Sequence, residues 1–252
     1  MNPSVAHIWR HPIKSHGREE IPAAVLTEGK CLPWDRLWAV AHGQSRFDAE
    51  RPAWQPCSQF SIGAKSPGLQ AITVCVDEGL NKITLSHPDR QDITIDPDNA
   101  VDADQFVQWV TPISNSARSL PTQLVSAAQP MTDTKFQSIS IINLASHAEI
   151  EKNLETSLSP ERWRGNIHVD GWAPWAEKDM VGKRIRIGTA ELEVREEITR
   201  CMATTANVET GIRDADTLGA LKNGFGHQEM GVYAVVIRSG QIRQEDQVEV
   251  LT

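Results

Sequence analysis

Tyrosine is nearly missing from this chain. Tyr233 stands alone against eight tryptophans, which read as core and rim packing. Cysteine is sparse as well. The four residues Cys31, Cys57, Cys75 and Cys201 are scattered without a CxxC pair, which excludes a self-contained zinc site or an iron–sulfur cluster of the usual spacings. Disulfides are not expected in a reducing compartment. Positive charge is in deficit: a net charge of -8 argues against general nucleic-acid binding, which needs a basic face, but leaves room for a local basic pocket holding a small anion. No apolar run approaches the roughly 18 residues of a membrane helix. The opening "MNPSVAHIWRHPIKS" lacks the apolar stretch of a secretory signal, so the expected location is the cytoplasm, with no membrane partner. HExxH, GxSxG, a Walker loop and a glycine-rich dinucleotide fingerprint are all absent, which leaves ordinary hydrolases and nucleotide enzymes without support.

What is present reads as short strands between turns. "AVLTEG" leads to "DRLWAVAHG", and "LQAITVCVDEGLNKITLSH" predicts a hairpin about a Gly-Leu-Asn turn. In "KRIRIGTAELEVREEI", Ile185 and Ile187 alternate with Arg184 and Arg186. Beyond a turn near Gly188, Leu192 and Val194 alternate with charged residues. The pattern predicts a half-buried antiparallel hairpin with a charged outer face. "YAVVIRSG" and "DQVEVL" predict the last strands.

Four short helices are expected. "DADQFVQWVTPI" places Phe106, Trp109, Val110 and Ile113 on one face and ends at Pro112. "LASHAEIEKNL" has Ser146 and Glu149 at capping-box spacing. "SPERW" has Ser159 as cap and Pro160 in the first turn, and "DADTLGALKNG" closes at Gly224. Thr111 to Thr134, rich in Ser, Pro, Thr and Asn, reads as the boundary between two halves. The absence of regular strand–helix alternation predicts a mainly β (α+β) chain, with barrel-like sheets and a few short helices packed outside.

The histidines form no close metal-binding pair, and a lone one such as His87 or His168 reads as a hydrogen-bonded or surface residue. That leaves Cys201 in "ITRCMAT", directly after Arg200, and cations beside small polar residues. Lys14 and Ser15 lie in "HPIKSHGRE", Arg36 in "PWDRLWAV", and Arg164 and Asn166 in "RWRGNI". A structural cysteine has no need of an adjacent cation, whereas a thiolate does.

Taken in order, "HPIKS", "DRLW", "RWRGNI", "PWAEKDMVGKRIRIGTAELEV" and "ITRCMATTANVETGIRD" resemble the signature segments of the MOSC family, named for the C-terminal domain of molybdenum cofactor sulfurase. The likeness spans nearly the whole chain. It implies a smaller β-barrel-like N-terminal region over 1–118 and a β-barrel MOSC domain over 119–252. It also implies that Cys201 ligates molybdenum or carries a persulfide sulfur. The metal accepts soft thiolates, and the cofactor's dithiolene supplies two further sulfurs. Lys14, Ser15, Arg36, Arg164 and Asn166 match positions that hold the phosphate-bearing pterin, and Ser140 and Tyr233 match further cofactor-side positions. Arg200 joins this set. Neighbouring side chains of an extended segment point to opposite faces, so its help to the thiolate comes through its field. Three cations in one pocket should repel one another unless an anion fills it. Thr199 and Asn207 are candidates for orienting the site.

The chain departs from the family pattern at several positions, and the last of these, the "RFDAERPAWQPC" segment, is expected near the substrate side of the pocket. Trp163 stands for the usual Phe, Gly165 for Pro, and Asn143-Leu144 for Ser-Leu, while "RFDAERPAWQPC" lacks a common Thr-Gln-Arg. No iron–sulfur domain and no pyridoxal-phosphate desulfurase domain is expected, so electrons would come from a separate protein. Three functions follow from the resemblance. The first is a molybdenum oxidoreductase that reduces N-hydroxylated or other N-oxygenated small molecules. The second is a cofactor or persulfide carrier, and the third is a partner-binding module that has lost the cofactor.

Overall fold

The computed structural model describes residues 2–251. The chain opens with β1 (Ser4–Arg10), β2 (Glu19–Glu20), β3 (Ala23–Leu26) and β4 (Trp38–His42), followed by the meander β5 (Thr73–Asp77), β6 (Lys82–His87) and β7 (Arg90–Ile95). Helix α1 (Ala100–Val110) comes next, capped by Asn99, whose side chain accepts from the amides of Val101 and Asp102. It buries Phe106, Trp109 and Val110, the face expected from the 3.6-residue spacing.

Strand β8 (Pro121–Ser126) pairs antiparallel with β4. It lies inside the stretch read as a boundary. Its six residues carry buried Pro121, Leu124 and Val125 without regular alternation, so periodicity could not reveal it.

The second half contains β9 (Ile139–Asn143), α2 (Leu144–Leu154), β10 (Ile167–Asp170), β11 (Arg184–Ile187), β12 (Ala190–Thr199), β13 (Glu229–Arg238), β14 (Gly240–Arg243) and β15 (Val248–Leu251). Eight strands form one sheet in the order β15-β11-β12-β13-β9-β10-β1-β2, and β3 pairs with β14 in a separate ladder. Among the named strands all pairings are antiparallel except β9 with β10, which α2 joins as a crossover. The first strands of the chain therefore complete the sheet of the second half. Val5, Ile8, Ala24 and Leu26 share one core with Ile139, Ile141, Ile185, Leu192, Val194 and Val232. A second core joins Ile13, Trp38, Val40, Ile83, Leu85, Phe106 and Leu124. The fold is mainly β with short helices, as expected. Among the described residues no helix is long and apolar enough to cross a membrane.

Two helix starts differ from expectation. Asn143 caps α2, accepting from the Ala145 amide at 3.0 Å. Ser146 instead sits buried inside the helix and donates to Glu177 at 2.9 Å. The buried carboxylate of Glu177, also held by the Asn143 amide at 2.7 Å, competed for the serine. The segment expected as a helix up to Gly224 is one α-turn, Thr217–Gly219, followed by a π-turn, Ala220–Gly224, with Asp216 as cap.

Gly165 answers a packing demand. A Cβ there would lie 2.2 Å from Cγ1 of Ile142, so no side chain fits without displacing the β9–β10 contact. Gly165→Ala should cost about 2–3 kcal/mol in urea unfolding, and Ile142→Ala in the same chain should recover part of that loss.

Candidate functional site

A cavity of about 750 Å³ lies where the two halves meet, within the size range of small-molecule sites. Its floor is the middle of the large sheet. Ser140 on β9 pairs in register with Tyr233 on β13, which pairs with Glu196 on β12. Arg200 and Cys201 follow the end of β12, and the first half contributes Lys14, Ser15, Arg36 and Cys57. Of the nine site residues expected from sequence, eight line the cavity. Asn166 does not. It is buried behind the wall, accepts from the Ser140 hydroxyl at 2.8 Å and donates to the Trp9 carbonyl at 3.1 Å. Its role in the structure is to brace Ser140 and the turn that carries Arg164.

The backbone is strained where the side chains converge. Ser15 (φ 63°), Arg36 (φ 55°) and Arg164 (φ 51°) all adopt the left-handed conformation, which costs an L-residue about 1–2 kcal/mol. Such outliers persist when the surroundings over-determine them, and they cluster at functional sites.

The four cations are not equivalent, and this corrects the expectation of bare mutual repulsion. The Lys14 ammonium donates to the Met131 carbonyl at 2.8 Å and pairs with Asp133. Arg36 pairs with its neighbour Asp35, a fully buried carboxylate that also accepts from the His11 amide at 2.8 Å. Burial works against the charge of Arg36, but Asp35 and Asp133 hold its pKa above the ordinary value. Burial likewise opposes the Asp133 carboxylate, yet Lys14 and Arg36 keep it ionised far below the usual range.

Arg164 and Arg200 have no carboxylate partner among the described residues. Arg164 donates to the Gly17 carbonyl at 3.1 Å, and burial followed by repulsion from Arg36 and Arg18 lowers its pKa to about 9. Arg200 donates to the carbonyls of Met230 and Trp163 at 2.7 and 2.8 Å, and burial lowers its pKa to about 10. Its guanidinium stacks 5.5 Å from the Trp163 ring centroid. Trp163 is fixed in turn by donating to Nδ1 of His147 at 2.9 Å. A phenylalanine could not make that bond. Two guanidiniums oriented by carbonyls and unneutralised by acids are built to receive an anion.

Cys201 is exposed and lines the cavity beside Arg200, whose hydrogen bonds go elsewhere, so any influence on the thiol is through space. Among the described residues no group of three or more His, Cys, Asp and Glu side chains is placed to hold a metal. A metal here would need ligands that arrive with a cofactor. The combination of one accessible thiol, two unpaired guanidiniums, the Ser140 hydroxyl and a cavity of this volume fits a phosphate-bearing pterin dithiolene. Thr199 lines the cavity, whereas Asn207 does not and donates to Asp214 at 2.8 Å.

Among the lining residues that sequence reasoning did not assign to the site, Asp133, Cys57, Arg162 and Glu196 carry polar groups. Asp133 was hidden in the Ser/Thr/Pro-rich stretch, where nothing in the pattern links it to Lys14. Cys57 donates its thiol to Asp133 at 3.2 Å, and burial and then Asp133 push its pKa up to about 11. Arg162 is buried and forks onto Asp214 at 3.2 and 3.3 Å. Glu196 lies in the quoted hairpin segment but received no role from the sequence. Of the two histidines taken as ordinary, His87 meets the Gly68 carbonyl at 3.2 Å. His168 is neither exposed nor hydrogen-bonded, with both ring nitrogens buried unpaired.

The fold resembles known structures. The YUAD protein from Bacillus subtilis superposes with a TM-score of 0.50 at 15% identity, over 99% of this chain and 96% of that one. YiiM from Escherichia coli superposes with a TM-score of 0.34 at 17% identity, over 45% of this chain and 54% of that one. No curated protein matches the chain. The model of the MOSC N-terminal beta barrel domain matches residues 2–126, and the MOSC domain model matches residues 129–249. These two matches span the described chain almost end to end, and the chain belongs to the MOSC family.

Proposed function

We propose that this protein binds the molybdenum cofactor in the cavity and acts as an oxidoreductase on N-hydroxylated or other N-oxygenated small molecules. One observation carries the reading: an accessible Cys201 thiol shares a cavity wall with two guanidiniums, Arg164 and Arg200, that form no ion pair with a carboxylate among the described residues. Arg164 and Arg200 would hold the phosphate by charge-assisted bonds, roughly twice as strong as neutral ones. Ser140, with its hydroxyl oriented by Asn166, would meet the pterin side. Lys14 and Arg36, already paired with Asp133 and Asp35, would shape the cradle more than neutralise it. Cys201 would supply the protein's thiolate to the metal. When bound, the cofactor supplies the two-electron oxygen-atom chemistry, with electrons from a separate donor protein in the cytoplasm.

The exposure of Cys201 also suits a second reading, a persulfide or cofactor carrier without external turnover. Metal analysis separates the readings from an empty partner-binding module. Protein purified from a host that makes the cofactor should carry molybdenum, and Cys201→Ala should lose at least nine-tenths of it. Loaded protein that reduces an amidoxime with an artificial donor is an oxidoreductase. Loaded protein that does not is a carrier. Equal, negligible molybdenum in both forms would overturn the proposal.

A further inference from the structure

Gln70 belongs to the first half, in the short 3-10 helix Pro67–Ala71, and is 1% exposed. It does not line the cavity, yet its carboxamide reaches both the anion end and the thiol end of the wall. Nε2 donates to the Ala203 carbonyl at 3.0 Å, in the turn Met202–Thr205 that follows Cys201, and lies 3.4 Å from the Arg162 carbonyl. Oε1 faces Nη1 of Arg164 at 3.5 Å, the long limit of a hydrogen bond. With carbonyls on one side and a guanidinium on the other, the neighbours fix which way the amide points. The residue is itself pinned. Arg18 donates to its backbone carbonyl at 2.9 Å, and also to the carbonyls of Ile72 at 3.3 Å and Val208 at 3.1 Å.

A carboxamide serves both neighbours at once. An ionised glutamate has no donor for the carbonyls, and a lysine has no acceptor for the guanidinium. A carboxylate would bring a further change, because beside Arg164 it would supply the ion-pair partner that this guanidinium lacks among the described residues. We propose that Gln70 is a positioning residue of the site: its neutral amide aligns Arg164 and the Cys201 turn together and leaves the Arg164 charge free for an anion. This inference rests on the reading of the cavity as an anion site and adds to it a residue of the first half. Gln70 acts through Arg164 and Ala203 and is not a catalytic residue.

The test is titration calorimetry of inorganic phosphate against the full chain purified from a host that cannot make the cofactor. Gln70→Glu should weaken phosphate by about tenfold or more, because Arg164 acquires a counter-charge, and Gln70→Met by no more than about threefold. In an Arg164→Met background the gap between the two substitutions should close to within about twofold. A merely structural glutamine would give equal losses in both variants and no dependence on Arg164. Hydrogen exchange in the peptide spanning 201–206 should rise in both variants, since each loses the donor to the Ala203 carbonyl. Equal phosphate affinities in the two variants, a gap that survives in the Arg164→Met background, or unchanged exchange would overturn the inference. Wild type that binds no phosphate removes the anion reading of the cavity and this inference together. Molybdenum is assayed separately, on protein from a host that makes the cofactor. Protein that carries it while the two variants bind phosphate alike sinks this inference alone. Protein that shows the phosphate pattern but carries no molybdenum sinks the cofactor reading alone.

Discussion

Acidification from pH 7 to about 4.5 should unfold this protein, at the upper edge of the range in which ordinary carboxylates protonate. Three buried histidines drive the loss. Burial lowers His11 to about 3, with Arg164 and Arg36 adding to the effect. Burial lowers His16 to about 4 and His168 to about 3. In the unfolded chain each titrates near 6.5, so the unfolded state takes up protons first. Their contribution is intact above pH 6.5 and is lost progressively as pH falls toward the native values. By pH 4.5 each costs about 2.6 kcal/mol, or about 8 kcal/mol together, comparable to the whole stability of a typical domain. Glu177 works the other way, since burial raises its pKa and protonation relieves it, but it is one group against three. The eight tryptophans make fluorescence a direct readout. A half-unfolding pH above 4.5 that moves down in His168→Leu is expected. A transition below pH 3.8, indifferent to that substitution, would contradict the assignment.

Arg164→Met should separate stability from cofactor retention. In the cofactor-free protein, Arg164 is a cation repelled by Arg36 and Arg18, with no ion-pair partner among the described residues, held on a left-handed backbone. Removing its charge while keeping most of its volume relieves that repulsion and offsets the lost bond to the Gly17 carbonyl. The cofactor-free variant should therefore melt at or above the wild-type temperature, by up to about 4 °C for each kcal/mol gained. In the same variant, losing a charge-assisted bond worth about 1.5–3 kcal/mol should weaken cofactor retention by about 10- to 100-fold. A lower melting temperature with unchanged molybdenum content would mean that Arg164 is an ordinary structural arginine.

Much of this site was legible because its residues sit in short segments with local logic. Lys14, Ser15, Arg36, Arg164, Arg200 and Cys201 each lie beside a turn or strand end that sequence marks. The cavity's acids were not legible, because Asp133 meets Lys14 across 119 positions of chain, and a loop carboxylate carries no mark of a distant partner. Asn166 lies behind the cavity wall, bonded to Ser140, since a spacing cannot tell a lining side chain from the one bracing it. The edge and hairpin strands announced themselves by alternation. Strands β9 and β10 did not, because nearly all of their residues are buried and no period-2 pattern survives. The capping of α2 failed for a related reason: the buried Glu177, 31 positions from Ser146, outcompeted the helix terminus for its hydroxyl.

X-ray absorption at the molybdenum edge of cofactor-loaded protein tests the assignment of Cys201 most directly. The wild type should show three sulfur neighbours, two from the dithiolene and one from Cys201, and Cys201→Ser should show two. Two sulfurs in both proteins would place the thiol outside the metal's ligands and contradict the role given to it.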